Sequence, residues 1–299
     1  MDSDDSDFYG DESATAGLEK RVQEFDVEDW LQRNSAHPGR PVPRRTVVGN
    51  ASHLHNPYAG VPYAWQLTET VDSFLERLPP ATTHASSDLP WIFICNPYTP
   101  RVAKHESESQ MSKGNEDEAP VEEGSRVSLI IEGGLERLAL LKDFIDKIQA
   151  TTKAASTIRK ETTQQARQAV NDILNLAQAG KVRAGKWMLF CTAQEVNAVW
   201  EVVAKATAEN ELGIAAKVAP RPEVEDPRKD RLICIYTADF KDRVDVDRVL
   251  RKLRALKLIE ARGRPIYYKP DAFTYIGISS GNIWGVRASI YSSQDVLNK

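Results

Sequence analysis

The chain has 299 residues, 41% hydrophobic and 27% charged, the make-up of an ordinary globular protein with one large domain or two small ones. This excludes a collagen-like or wholly disordered chain, and no apolar run reaches membrane length, so no membrane partner is expected. The net charge of −4 conceals a division: residues 1–29 balance to −9 and residues 106–123 to −6, which leaves the remainder at +11. A basic body suits phosphate-bearing partners through Coulomb attraction and counterion release. Acidic segments that merely aid solubility are the alternative.

Residues 1–24 are acidic, rich in Ser and Asp and poor in large apolar groups, so a disordered tail is expected. Residues 25–101 read as the N-terminal part of the fold. Phe25 to Leu31 is a short candidate helix capped by Asp26, and Leu67 to Leu78 places Val71, Phe74, Leu75 and Leu78 on one helical face. Trp91 to Cys95 is an apolar run of strand length fenced by Pro90 and Pro97, an extra strand for the main sheet. Residues 102–127 form a polar, acidic linker, expected to be mobile up to residue 126. Residues 128–181 are helical, with Leu138, Leu141, Ile145 and Ile148 at helical spacing and Gly180 as C-cap. One long helix and a broken pair both fit that pattern.

Residues 182–299 read as an α+β core. Gly185 to Cys191, Ile214 to Val218 and Leu232 to Thr237 have strand composition. Glu195 to Asn210 and Val244 to Leu258 have helical spacing, the first with Trp200 on its apolar stripe. A last strand pair is expected around Tyr267–Lys269 and Thr274–Ile278.

Motifs for nucleotide and metal chemistry are missing. There is no P-loop, no dinucleotide glycine fingerprint, no His-Glu-x-x-His and no nucleophile elbow, so neither a cofactor nor a metal is expected. Every histidine precedes the long helical segment, which removes a His-dependent centre built from the core alone. Cys95, Cys191 and Cys234 lie in apolar runs without Cys-x-x-Cys spacing. They read as reduced, buried thiols of an intracellular protein, cytoplasmic or also nuclear. The amino terminus has neither the basic region nor the apolar stretch of a signal peptide.

Strand alternation sets Lys217 on the face opposite Ile214, Ala216 and Val218, between the small residues Ala215 and Ala219. Small neighbours leave room around an ammonium, as a ligand site requires; a lysine snorkelling at the surface is the plain alternative. Residues 241–269 balance to +6, with Arg248, Arg251 and Lys252 on one helical face. Trp284 sits in a loop, placed either to stack on a base or to fold back on the core.

Several motifs stand in a recognisable order: Gly185-Lys186-Trp187, Trp200, Ala216-Lys217-Val218, Ile233 to Thr237, Tyr268-Lys269-Pro270-Asp271, Thr274 to Ile278 and Trp284-Gly285. Together they resemble the basophilic leukaemia-expressed protein family over roughly residues 184–293. That resemblance implies an initiation-factor-4E-like fold, a curved antiparallel sheet backed by helices. Gly185-Lys186-Trp187 looks like the cap-binding factor's Gly-Arg-Trp strand. Ile233 to Thr237 looks like its Ile-Ala-Ile-Trp-Thr strand, with Tyr236 in place of Trp. Lys217 and Arg221 fall near the factor's phosphate-binding residues. The factor's cap-stacking Trp-Glu pair has no counterpart in Gln178 to Ala184, so the resemblance implies the scaffold rather than cap binding.

The expected function is a non-catalytic binding module for RNA or another phosphorylated ligand. Its phosphate contacts are Lys186, Lys217, Arg221 and Lys269, and its stacking candidates are Tyr268, Tyr275 and Trp284. A protein-interaction scaffold built on residues 128–181 is the first alternative. A lysine-dependent enzyme acting on a phosphorylated group, similar to phosphothreonine lyases with Lys217 as base, is the second.

Overall fold

A computed structural model describes residues 54–99, 118–120, 122–224, 226, 228–260 and 263–297. The chain divides into two units at Ala51/Ser52, and the described residues all belong to the second. The expected acidic tail, the Phe25–Leu31 helix and most of the acidic linker lie outside them.

Six strands form one open, curved sheet in the order β1-β3-β4-β2-β5-β6, every neighbouring pair antiparallel. They are β1 (Ile92–Cys95), β2 (Gly185–Cys191), β3 (Ala215–Val218), β4 (Arg231–Thr237), β5 (Tyr267–Pro270) and β6 (Tyr291–Ser292). The α+β class and the helix-backed antiparallel sheet expected from the sequence are the ones observed.

The described helices are α1 (Val71–Arg77), α2 (Val127–Gln149), α3 (Ala155–Ala179), α4 (Val196–Ala208), α5 (Arg243–Ala255), α6 (Asp271–Tyr275) and α7 (Ser293–Leu297). Thr70 caps α1, its side chain accepting from the Ser73 amide, and Asp242 caps α5 by accepting from the amides of Val244 and Asp245. Each cap satisfies amide groups that the first turn leaves unpaired.

Strand alternation sorts the sheet into two faces. One presents Ile92, Ile94, Ala216, Val218, Ile233, Ile235, Trp187, Leu189 and Tyr268, all buried. Against it packs α4, which brings Val196, Trp200, Val203 and Ala204, and α5, which brings Val246, Val249, Leu250 and Leu253. The Trp187 indole N–H donates to the Val246 carbonyl at 3.0 Å, tying β2 to α5.

Two glycines permit close approaches on this face. A Cβ at Gly185 would meet the Tyr268 hydroxyl at 2.5 Å, and one at Gly213 would meet the Tyr236 carbonyl oxygen at 1.7 Å. Gly185 therefore opens the Gly-Lys-Trp strand because a tyrosine occupies the space of its side chain.

The helical segment is a broken pair. Arg126 bonds to Gly180 and Arg137 pairs with Asp172 at 2.8 Å, so α2 and α3 run antiparallel as a hairpin. Arg137 holds the Asp172 carboxyl below its usual range. The apolar stripe Leu138, Leu141 and Ile145 packs on Ala166, Ala169 and Ile173 and against Phe273, Ile276 and Ile278. Each such Leu or Ile contributes about 1.5–3 kcal/mol by leaving water.

One expected element is corrected. Thr274–Ile278 is not a strand: Asp271 to Tyr275 form α6, entered from Pro270 in extended conformation, and Gly277 then turns the chain at φ +74°. Proline just before a helix with an acid in its first turn is a start signal that outweighed the β-branched composition. Besides β2, the strand partner of β5 is β6.

Candidate functional site

The second face of the sheet carries Phe93 and Cys95 from β1, Ala215 and Lys217 from β3, and Leu232, Cys234 and Tyr236 from β4. Lys186, Met188 and Phe190 follow from β2, then Tyr267 and Lys269 from β5. Among the described residues neither α4 nor α5 packs here, yet the centre of this face is buried, with Tyr236, Cys234, Lys217 and Lys186 all shielded and α6 lying against β2 and β5. Its β1 side is closed as well: Tyr58 packs on Phe93 with ring centroids 4.9 Å apart, and the Cys95 thiol donates to Asn56 Oδ1 at 3.3 Å.

At its centre lies a buried ion cluster. Lys217 and Lys186, separated by the intervening β4, both point to the carboxylate of Glu118. Lys217 Nζ donates to Oε1 at 3.3 Å, while Lys186 Nζ and the Tyr236 hydroxyl donate to Oε2, the latter at 2.8 Å. Lys186 also reaches Asp271 Oδ1 and Thr274 Oγ1, each at 3.0 Å, both supplied by the first turns of α6. The Lys217 ammonium sits 4.0 Å from the centre of the Trp91 ring, a cation–π contact made stronger by desolvation. Lys217 is 2% exposed and Glu118 6%.

The cluster's charges shape one another. Burial opposes ionisation of Glu118, yet Lys186 and Lys217 hold its carboxyl below the usual range. Burial also opposes the charge on Lys186, and Asp271 and Glu118 more than offset it, so this ammonium is raised above an ordinary lysine. Asp271 is pushed up, chiefly by burial, and its Oδ2 has no hydrogen-bond partner among the described residues. Lys269 is pulled down, first by burial and then by Lys186. The residue is half-buried, and its ammonium makes no hydrogen bond or ion pair with another described residue.

The cysteines are buried and free. Burial pushes the thiols of Cys95 and Cys191 up to about 12, and that of Cys234 up to about 11 although Lys217 and Lys186 pull it the other way. Native full-length protein is therefore expected to resist iodoacetamide at about pH 8 and to label at all three cysteines in urea. Native labelling of Cys234 at the rate of a free thiol would mean that the cluster opens.

Of the residues expected at the site, the structure brings Lys186, Lys217 and Lys269 together and leaves the others elsewhere. Lys217 has the expected strand phase, but Trp91 and Glu118 cover it, so a substrate proton cannot reach its amine without displacing both. Arg221 lies four residues further on, beyond the strand, its backbone bonded to Thr83 and Ala85 at 2.7 Å each.

Tyr268 cannot stack on a ligand. It faces the helices, with its hydroxyl 2.6 Å from Thr237 Oγ1 and its ring edge-on to Trp187. Tyr275 is half-buried against the main core, and Trp284 folds back on the cluster formed by the hairpin and Phe273. The residues the sequence reading missed are Glu118, Asp271, Tyr236, Thr274 and Trp91. Asp271 directly follows the Tyr268-Lys269-Pro270 motif; Glu118 had no signal beyond its charge.

The acidic linker differs from expectation at its C-terminal end. Glu118 and Ala119 are buried, and Glu122 pairs with Arg183, an arginine just before β2. These carboxylates have cationic partners, which composition alone does not reveal. Among the described residues no group of three or more His, Cys, Asp and Glu is placed to hold a metal, and no helix is long and apolar enough to cross a membrane.

Fold and site define an α+β protein with a helix-backed antiparallel sheet and a lysine-rich ion cluster on the sheet's other face. The chain belongs to the family described as Basophilic leukemia-expressed protein Bles03, which it matches over residues 18–277. Among solved structures it is similar to a schistosome eIF4E complexed with m7GpppA and 4E-BP, at 16% identity and TM-score 0.28 over 37% of this chain. It is also similar to Ascaris suum eIF4E-3 with an m2,2,7G cap, at 22% identity and TM-score 0.26 over 36% of this chain. The chain spans 58% and 57% of the length of those two proteins, and overlaps this partial carry no ligand or partner across.

Proposed function

We propose that this protein is a non-catalytic binding module for a phosphorylated ligand, RNA foremost, held at the β2–β5 end of the sheet's second face. The observation that carries this reading is Lys269. Among the described residues three lysines and two carboxylates meet there, and Lys269 is the ammonium with neither of these carboxylates in ion-pair contact. Lys186 and Lys217 are committed to Glu118 and Asp271, so their role is to set the field that Lys269 presents. A phosphate at Lys269 brings the negative charge that burial and Lys186 make most welcome there.

The protein-scaffold alternative has less support. The apolar stripe of the α2–α3 hairpin is used inside the fold, and Leu129, Leu135 and Leu140 are exposed singly.

Lys269→Met keeps most of the stem and removes the charge. It is expected to weaken binding of a single-stranded RNA of about ten nucleotides by about 1.5–3 kcal/mol, the range for a hydrogen bond to a charged group. Stability should not fall, because an ammonium disfavoured by burial is removed. Affinity should decline as pH rises through the depressed Lys269 value, earlier than the ordinary lysine value of 10.5, since the proton carries the attraction. Fluorescence anisotropy against salt and pH reads both effects; unchanged RNA affinity in Lys269→Met would remove the reading.

A further inference from the structure

We propose that the end of the sheet beyond Lys269 is a stacking platform for the bases of a single nucleic-acid strand, carried by Tyr267 and Phe190. The proposal rests on the phosphate reading of Lys269 and extends it by naming what lies next to the phosphate.

Tyr267 and Phe190 are each 40% exposed, and alternation sets both on the sheet's second face. Met188 stands opposite Tyr267 and Leu232 opposite Phe190 in register, both half-buried, so the rings rise from a continuous apolar floor. Tyr267 and Phe190 are diagonal neighbours across β5 and β2, about 7–8 Å apart. Tyr267 and Lys269 are two residues apart on one strand face, about 6.6 Å. A base on Tyr267 thus has its phosphate within reach of Lys269, and the next base falls toward Phe190.

A second cation marks the far end. The Arg264 guanidinium lies 5.6 Å from the Phe190 ring centre and pairs with Asp230 at an exposed bridge. Exposed bridges hold little energy, so this arginine exchanges readily for a phosphate. Single exposed aromatics are common on protein surfaces. Here two share one face, with a cation beside each.

The exposure of this end of the face selects the occupant. A small free ligand needs a concavity that buries most of its surface. Exposed, spaced rings with flanking cations suit a strand, in which each base contributes one stack and the backbone tracks the charges. A phosphopeptide supplies the charge without a series of planar rings.

The test compares an oligouridine of about ten nucleotides with an abasic strand of the same length on the full chain. The base-bearing strand is expected to bind at least about fivefold more tightly. Tyr267→Ala with Phe190→Ala should abolish that preference and leave abasic binding unchanged, while Tyr267→Trp should retain it. Each residue is 40% exposed, so the alanine variants should lose some stability yet remain folded in urea unfolding, and binding is compared under conditions where all variants are folded. Equal affinity for the two strands, or a preference that survives the double alanine variant, overturns the proposal, as does preferential binding of a phosphopeptide of equal charge. If Lys269→Met leaves both strands unaffected, the phosphate reading fails separately, because the preference for bases is a ratio that does not depend on it.

Discussion

Glu118→Ala is expected to destabilise the protein by about 3–5 kcal/mol, the cost of breaking a buried ion pair from one side. Glu118 is the sole carboxylate among the described residues in ion-pair contact with Lys217, and it shares Lys186 with Asp271. Removing it takes from the Lys217 ammonium, 2% exposed, the Glu118 carboxylate that it donates to. It also takes the acceptor of the Tyr236 hydroxyl, itself fully buried. Glu118→Gln keeps that acceptor and should cost less. Glu118→Ala combined with Lys217→Met should recover part of the loss, because the buried ammonium that loses this carboxylate is then removed as well.

The pH dependence follows from the same pairing. Glu118 has its folded value held below 4.5, so its stabilisation is present above 4.5 and is lost as pH falls through the folded value. Asp271 works in the other direction. Its value is raised from 3.8, so its neutral form is favoured in the fold and its contribution falls as pH rises through the raised value. In Glu118→Gln the acid limb should flatten. Urea unfolding of the full chain measures all of this, and a loss below about 1 kcal/mol in Glu118→Ala would show that the cluster is not a structural counterion system.

Alternation and helical spacing were enough to read β1 to β5, α4 and α5, because each element buries one side and the pattern records it. The same rule placed Lys217 on the correct face. At β5 the same rule separates Tyr268 from Lys269: they are consecutive in one strand and cannot share a face, so a phosphate contact at Lys269 argues for Tyr267, not Tyr268, as its aromatic neighbour. What covers Lys217 was not legible. Glu118 is 99 residues away from Lys217 in sequence and sits in a segment whose composition reads as solvent-seeking. A carboxylate in an acidic run looks the same whether water or two buried ammoniums receive it. The partner of β5 was missed for a similar reason, since β6 is two residues long and carries no pattern of its own.

Trp200→Ala is expected to cost about 3–5 kcal/mol, the range for emptying a large aromatic site in a core. Trp200 is 0% exposed, at the centre of the α4 stripe that packs on β1, β3 and β4. Three strands and a helix cannot collapse onto the missing ring without moving the sheet, so most of the cavity should persist. The indole N–H has no hydrogen-bond partner among the described residues. A buried donor without an acceptor is itself destabilising. Trp200→Phe loses volume but also removes that donor, and the two effects oppose each other. The phenylalanine variant should therefore lose no more than about 1.5 kcal/mol, well short of the alanine variant. Chemical denaturation of the three proteins separates the contributions. Equal losses for Phe and Ala would mean that an acceptor reaches the indole, and an alanine loss below about 1 kcal/mol would mean that α4 does not pack through this face.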